Sequence, residues 1–335
     1  MMRAIRQVLV AVKELKAARP LVYKAAQIAS ANGAALELFH CLSEPIVLDY
    51  AFDENRNLNS LQRAQRDRAL HQLERIAAAV RRQHTQLKIT LAAEWDAPAY
   101  DGIVRRARKI KAGLIVASRH SGPHMLPSIM RLTDWELVRL SPVPLLLVSK
   151  ATPYHRPAVL VAVDPTHAFA KPLQFDRTLL RQATALSQSL HGSLHAVHAY
   201  ARIPAGALPP NGLGITDHEL KRIQTDAQQT AKAGFERALK GTVVKTANRH
   251  LIGSHPVDAI LQAARSSHSA IVVMGAVSRS GLKRLLIGNT AERILDELTC
   301  DVLVVKPRAF KSRVPRRVQG PRVWMPSLSP WSGSY

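Results

Sequence analysis

The chain contains two copies of one long unit, and this duplication constrains its fold more than any other feature. Four pairs of matching segments lie 157 residues apart: 101–104 with 258–261, 114–116 with 271–273, Thr133 with Thr290, and 145–148 with 302–305. A repeat of this length is typical of a duplicated domain rather than a solenoid of short repeats. The sequence predicts a first domain over residues 1–150 and a second over 157–307. The linker between them, 151–157, contains two prolines that favour an extended path.

Within each copy, short apolar runs alternate with longer segments of helical periodicity. The runs are apolar throughout, as in 159–163 and 271–274, and such strands are typical of a parallel sheet covered on both faces. A further strand is predicted over 243–246. The predicted fold class is therefore α/β, with two tandem domains that each have a parallel sheet and helices on both faces. Ligands of such sheets bind beyond the carboxyl ends of the strands, where the strand order reverses.

Bulk composition sets wider limits on function. The 335 residues carry a formal net charge of +23, which reflects either an anionic partner or a basic background. No apolar run approaches the roughly 20 residues that a membrane-spanning helix needs, so we expect no membrane span, and we expect no signal peptide at the start. The two cysteines, Cys41 and Cys300, lie beside or within apolar runs. We expect both to be buried thiols without a disulfide.

A glycine-bearing loop in the second copy predicts an anion site. The apolar run ends at Gly275, and a loop with basic residues leads to Gly288-Asn289-Thr290, where a helical pattern begins. The basic residues are Arg279, Lys283 and Arg284. Free N–H groups at a helix start, together with positive side chains, favour a phosphate. Two simpler interpretations stay open, namely that the glycines only permit tight turns and that the basic loop is solvated.

Several segments resemble the universal stress protein family. The resemblance lies in the tandem repeat, in LVAVDP at 160–165, in TDWELVRLSPVP at 133–144 and in GNTAERILDELTCDVLVVKP at 288–307. It covers residues 5–307. It implies a flavodoxin-like or adenine-nucleotide α-hydrolase-like fold, a cytoplasmic location and a role in surviving stress. Our leading hypothesis is a non-enzymatic stress protein.

The resemblance also implies a ligand site in the second domain. Many members of the family bind ATP through the pattern Gly, two residues, Gly, nine residues, Gly, then Ser or Thr. The corresponding positions here are Gly275, Ser278, Gly288 and Asn289. Two of these match and two depart, although Thr290 follows directly. Because Ser278 adds a side chain where the backbone would approach phosphate and Asn289 replaces a hydroxyl, the identity of the ligand stays open.

Three further positions complete that implied site. Asp164 lies where the family places an acid near the nucleotide, and the strand at Val197 and Ala199 corresponds to the adenine side. The alternative for Asp164 is a turn-forming role in its Asp-Pro-Thr sequence. Arg279 or Lys283 would balance the phosphate charge. No catalytic residue and no metal ligand is predicted, since no group of residues has metal-ligand spacing.

The first copy has lost the ligand pattern. The corresponding positions are Ser118, Ser121, Arg131 and Leu132, and Lys13 replaces the acid. We expect this domain to pair with the second one within the chain. An anion site built from Lys13, Arg119, His120 and Arg131 is the alternative.

Residues 308–335 form a basic segment with six Lys or Arg residues and no acid, which predicts a disordered tail. With Trp324 and Trp331 it could bind nucleic acid, and the basic helix around Arg105–Lys109 is a second candidate for such contact. A weak ATPase or autophosphorylating activity is a further alternative. We expect His40, His195 and His198 to have structural roles.

Overall fold

The computed structural model describes residues 5–44, 46–47, 58–119, 133–165, 174–202, 216–276, 289–318 and 323–324. Its contacts divide the chain into two compact units. Unit 1 comprises residues 1–117 and 313–335, and unit 2 comprises residues 118–312. The predicted boundary between the sequence repeats thus falls inside unit 2, and the division into domains 1–150 and 157–307 stays a prediction.

Unit 1 alternates strands and helices. Its elements are β1 (Gln7–Ala11), α1 (Arg19–Ala31), β2 (Ala35–Leu42), β3 (Ile46–Val47), α2 (Leu58–Gln83), β4 (Ile89–Trp95), α3 (Ala99–Lys109) and β5 (Leu114–Ser118). The strand order is β4-β2-β1-β5, and all neighbours are parallel. Val8, Leu9 and Val10 are fully buried because β1 is a central strand that is covered on both faces.

Unit 2 also alternates strands and helices. Its elements are α4 (Thr133–Leu140), β6 (Leu145–Val148), β7 (Ala158–Ala162), α5 (Phe175–Ser189), β8 (Ser193–Tyr200), α6 (Asp217–Leu239), β9 (Arg249–Gly253), α7 (Pro256–Ser266), β10 (Ile271–Gly275), α8 (Asn289–Glu297) and β11 (Asp301–Val305). The strand order is β6-β11-β10-β7-β8-β9. Strands β7 to β11 are parallel, and β6 pairs antiparallel with β11.

The strand order of unit 2 reverses between β7 and β10. From β7 the chain moves outward to β8 and β9, and it then returns to the other side of β7 as β10. The predicted α/β fold with parallel sheets and covering helices is confirmed. The crevice of such a sheet lies at the reversal, beyond the carboxyl ends of the two strands.

The prediction of a strand over 243–246 is wrong. A short 3₁₀ turn occupies Thr246–Asn248, and the strand follows as β9. Val244 is buried, but Val243 is 53% exposed, so the apolar pair that suggested a strand contributes only one residue to the core. The Asn248 side chain donates to the carbonyl of Leu194 at 3.1 Å, which fixes the turn against β8.

Part of the basic C-terminal segment is packed against unit 1. Val314 is 5% exposed, and β12 (Val323–Trp324) pairs parallel with β3. The composition predicted disorder from residue 308 onward, whereas residues 308–318 and β12 are described. The rest of the segment, including Trp331, lies outside the described residues.

Among the helices in the described residues, none is both long and apolar enough to cross a membrane.

Candidate functional site

Two of the predicted site residues meet at the strand reversal of unit 2. Asp164 follows β7 after one intervening residue, and Gly275 ends β10. The two strands are direct neighbours, with Val273 in register with Val161. Because neighbouring strands are about 5 Å apart, the main chain of Gly275 lies close to that of Asp164. The reversal therefore brings an acid and a glycine to one point of the sheet edge.

Gly275 is in close contact with Phe175, the first residue of α5. A Cβ atom at position 275 would lie 2.4 Å from Cε1 and 3.0 Å from Cζ of Phe175. Real Cβ atoms do not approach carbon this closely, so the ring can occupy its position only because residue 275 is glycine. This packing accounts for the glycine without any ligand.

The backbone of Asp164 is held by a second acid. Its N–H donates to Oδ2 of Asp176 at 3.0 Å, and Asp176 lies in the first turn of α5. Both side chains are buried, with 6% and 7% exposure. Two carboxylates at this end of the crevice favour a hydroxyl-bearing or cationic group and disfavour a phosphate.

At the predicted adenine side of the crevice, strand β8 presents main-chain groups of Val197 rather than its side chain. Val197 is 1% exposed, and its carbonyl accepts the N–H of Val163 at 3.0 Å. Ala199 is half-buried nearer the carboxyl end of the strand. Tyr200 ends β8 and packs on Gly253, where a Cβ atom would lie 2.8 Å from the phenol oxygen. An aromatic ring thus borders the side of the crevice that the resemblance assigns to the base.

The predicted phosphate loop is described only at its end. Ser278, Arg279 and Gly288 lie outside the described residues. Asn289 and Thr290 are the first two residues of α8. Because α8 follows β10, it begins at the carboxyl edge of the sheet, where its first free N–H groups are available.

Three residues near these positions were missed by the sequence predictions: Phe175, Asp176 and Tyr200. Asp176 lies in the first turn of α5, and an acid just ahead of a helical pattern is a signal of a helix start. No local pattern indicates that Phe175 packs on Gly275, because that contact joins residues 100 positions apart.

The contacts of Arg119 do not support the alternative anion site in the first copy. The guanidinium of Arg119 donates to the carbonyls of Leu298 and Cys300, just beyond the end of α8. Its N–H groups therefore satisfy carbonyls at a helix C-terminus, where a positive charge is also favourable. His120 and Arg131 lie outside the described residues, and Lys13 is exposed.

The basic helix α3 is largely neutralised within unit 1. Arg106 donates to both oxygens of Glu37, at 2.6 and 2.9 Å, and to Glu94 at 2.6 Å. These acids raise the pKa of Arg106. Arg105 pairs with Asp96 through two bonds of 2.6 Å. Side chains bound in this way are not available to nucleic acid, so α3 does not support that alternative.

The histidines predicted to be structural lie within the sheets. Nδ1 of His40 is 2.8 Å from the carbonyl of Val12, and Nδ1 of His198 is 3.3 Å from that of Val163. His195 and His250 lie side by side on β8 and β9, with Nδ1 and Nε2 3.2 Å apart. Burial lowers the pKa of both, and His250 lowers that of His195 further.

The described residues contain no cluster of three or more His, Cys, Asp or Glu that could hold a metal ion. Both cysteines are free thiols. Burial raises the pKa of Cys41 to about 12 and that of Cys300 to about 11, so neither is a reactive thiolate near neutral pH.

The sheet of unit 2 is doubly wound, and an acid and a glycine lie at its strand reversal. Together with the sequence repeat, these features define a class of duplicated α/β proteins. A family model places this chain within that class. The model of the Universal stress protein family matches residues 4–149 and 157–306. The chain belongs to the Universal stress protein family, which confirms the resemblance.

Curated relatives agree with this assignment, and solved structures share the fold. The Universal stress protein E homolog of Haemophilus influenzae is 24% identical over 226 residues, covering 64% of this chain and 68% of that protein. Universal stress protein E of Salmonella typhi is 26% identical over 230 residues, covering 68% and 71%. A functionally unknown protein of Pseudomonas aeruginosa PAO1 superposes with a TM-score of 0.66 at 21% identity, covering 91% of this chain and 94% of that one. A universal stress protein of Archaeoglobus fulgidus has a TM-score of 0.57 at 15% identity, covering 92% and 100%.

Proposed function

We propose that this chain is a non-enzymatic, cytoplasmic stress-response protein that binds a nucleotide or another phosphate-bearing small molecule in unit 2. The observation that carries the proposal is the convergence of Asp164 and Gly275 at the strand reversal. Family membership supports a role in the stress response.

Charge gives the proposed ligand an orientation. The buried carboxylates of Asp164 and Asp176 lie at the end of β7, where they would repel a phosphate but accept a hydrogen bond from a sugar hydroxyl. The start of α8 at Asn289 offers free N–H groups for the phosphate. The ligand would therefore have its sugar near Asp164 and its phosphates near residues 275–290, with Arg279 or Lys283 balancing their charge.

Native mass spectrometry of the full chain, with and without ATP and Mg²⁺, tests this proposal. We expect a bound small-molecule mass that is lost in Gly288→Trp and kept in Gly281→Trp, which places the same bulk in the same loop outside the glycine pattern. Asp164→Asn should weaken binding, whereas Asp258→Asn, at an exposed position of α7, should not. Ligand at 100 times its Kd should add about 2.7 kcal/mol to the free energy of unfolding.

Two outcomes would contradict the proposal. A chain without any bound mass, and without a thermal shift on adding nucleotides, would exclude the ligand site. Phosphate release above background with Mg²⁺, lost in Asp164→Asn, would identify an enzyme instead.

A further inference from the structure

Two arginines of α3 bind the main chain of the C-terminal segment. Nη1 of Arg105 donates to the carbonyl of Pro315 at 2.9 Å, and Nη1 of Arg108 donates to the carbonyl of Val314 at 2.8 Å. The two arginines lie three residues apart, on the same face of the helix. Two adjacent carbonyls are thus bound by two neighbouring side chains, which is a main-chain mode of peptide recognition.

The donor at Arg105 is held in position before the segment binds. Its Nε and Nη2 form the two bonds to Asp96, and its Nη1 lies 3.8 Å from Asp101. The side chains of Arg105 and Asp96 are 7% and 4% exposed. Because the buried ion pair fixes the guanidinium, little side-chain entropy is lost when Nη1 binds a carbonyl.

Within residues 313–318, where side chains are described, one apolar side chain anchors the segment. Val314 is 5% exposed, whereas Val318, four residues later, is 60% exposed. Arg313, Arg316 and Arg317 are exposed. Residues 313–318 therefore insert one valine and keep their basic side chains outward.

Charge opposes this contact. Burial lowers the pKa of Arg108, and the charge of Arg316 lowers it further. Arg316 therefore does not assist the attachment at Arg108, which uses the carbonyl acceptors and Val314. Added salt should therefore not weaken the attachment steeply.

The segment also reaches the carboxyl edge of the unit 1 sheet. Residues 323–324 pair with β3, which follows the carboxyl end of β2 after three residues. The contact with Arg108, by contrast, lies at the C-terminal end of α3. We call residues 313–318 together with β12 the C-terminal strap.

We propose that the C-terminal strap is an intrachain peptide ligand of unit 1, and that α3 and β3 form an extended-peptide docking surface that releases and rebinds it. Unit 1, which has lost the glycine pattern, would then recognise a peptide main chain.

Limited trypsin digestion of the full chain is the first test. The bond between Arg316 and Arg317 is the reporter, because cleavage there requires the strap to leave α3. Val314→Asp places a charge in the buried anchor position, and we expect cleavage to accelerate about tenfold or more. Val318→Asp makes the same change at an exposed position and should cleave at the wild-type rate. Arg108→Met removes one donor and should accelerate cleavage by a smaller factor.

Peptide capture is the second test. A fluorescein-labelled peptide of residues 308–335 should bind the full-length Val314→Asp protein, whose docking surface is vacant. It should not bind the wild-type or Val318→Asp proteins, whose surface is occupied. Adding Arg108→Met to Val314→Asp should weaken capture, and raising the salt concentration should not weaken it steeply.

The proposal is overturned if the Arg316–Arg317 bond is cleaved equally fast in Val314→Asp and Val318→Asp. It is also overturned if a folded Val314→Asp protein binds the peptide no better than the wild type does. Capture that weakens steeply with salt would identify charge attraction and would contradict the carbonyl mode.

Discussion

The hydroxyl of Tyr154 donates a 2.6 Å hydrogen bond to Oδ2 of Asp301, which joins the segment between the two sequence repeats to the start of β11. Oδ1 of Asp301 also accepts the N–H of Ser149 at 2.8 Å and that of Lys150 at 3.3 Å. Tyr154 and Asp301 are 8% and 1% exposed. Burial raises the pKa of Tyr154, and the charge of Asp301 and the hydrogen bond raise it further. The predicted extended linker is therefore fixed to unit 2 by a buried carboxylate.

Tyr154→Phe should destabilise the protein by about 1–3 kcal/mol, because a buried carboxylate loses a donor. Tyr23→Phe is the matched control, since the Tyr23 hydroxyl donates to the neutral carbonyl of Ala79 at 3.2 Å; its cost should be about 0.5–1.5 kcal/mol. Urea unfolding of both variants measures the difference. Equal losses would show that the charge of Asp301 adds nothing to the bond.

Gly275→Ala should destabilise unit 2 by about 1–3 kcal/mol, because the added methyl group overlaps the ring of Phe175. Phe175→Leu removes the ring edge, so the double variant should lose less than the sum of the two single variants. Thermal unfolding of the three proteins measures the coupling. Additive losses would mean that Phe175 is not what requires glycine at position 275.

The His195–His250 pair predicts a loss of stability in acid. Both pKa values are lowered from 6.5 in the folded protein, so below pH 6.5 the unfolded chain binds more protons than the folded one. Stability should therefore fall as the pH decreases from about 6.5 through the folded pKa values. His195→Gln should flatten this part of the profile, and His218→Gln, at an exposed position of α6, should not. Parallel profiles for wild type and His195→Gln would contradict the prediction.

Lys306 should be an unusually reactive amine. Burial lowers its pKa to about 8, and its Nζ lies 4.9 Å from the centroid of the Phe310 ring. Trace labelling with acetic anhydride at increasing pH, read by peptide mass spectrometry, should show a half-maximal reactivity of Lys306 near pH 8. The exposed Lys311 reports the pH dependence of the reagent itself. Reactivity that follows Lys311 at every pH would contradict a lowered pKa.

The sequence was sufficient to predict a strand where the local apolar pattern agrees with the burial of the strand. Strands β7 and β10 are apolar runs, and β11 is one after its first residue, Asp301; all three lie in unit 2 where strands were predicted. Strand β9 escaped prediction because its sequence, Arg-His-Leu-Ile-Gly, begins with two polar residues and all five are only half-buried. It is a strand because β8 pairs with it at the sheet edge.

The candidate site was likewise predictable only in part. Asp164 and Gly275 could be predicted because strand ends mark the crevice of a parallel sheet, whereas Phe175 lies there through a long-range packing contact. The strap escaped prediction for another reason. Composition reports its basic side chains, but its attachment uses the carbonyls of Val314 and Pro315, which every sequence has.

The antiparallel pairing of β6 with β11 has a consequence for a protein that contains only the first sequence copy. The last strand of the first sequence copy completes the sheet that the second copy forms, with Leu146 in register with Leu303. A protein cut at residue 150 would present four fully apolar residues, 145–148, on an uncovered edge that invites self-association. In the full chain, β11 of the second copy covers this edge.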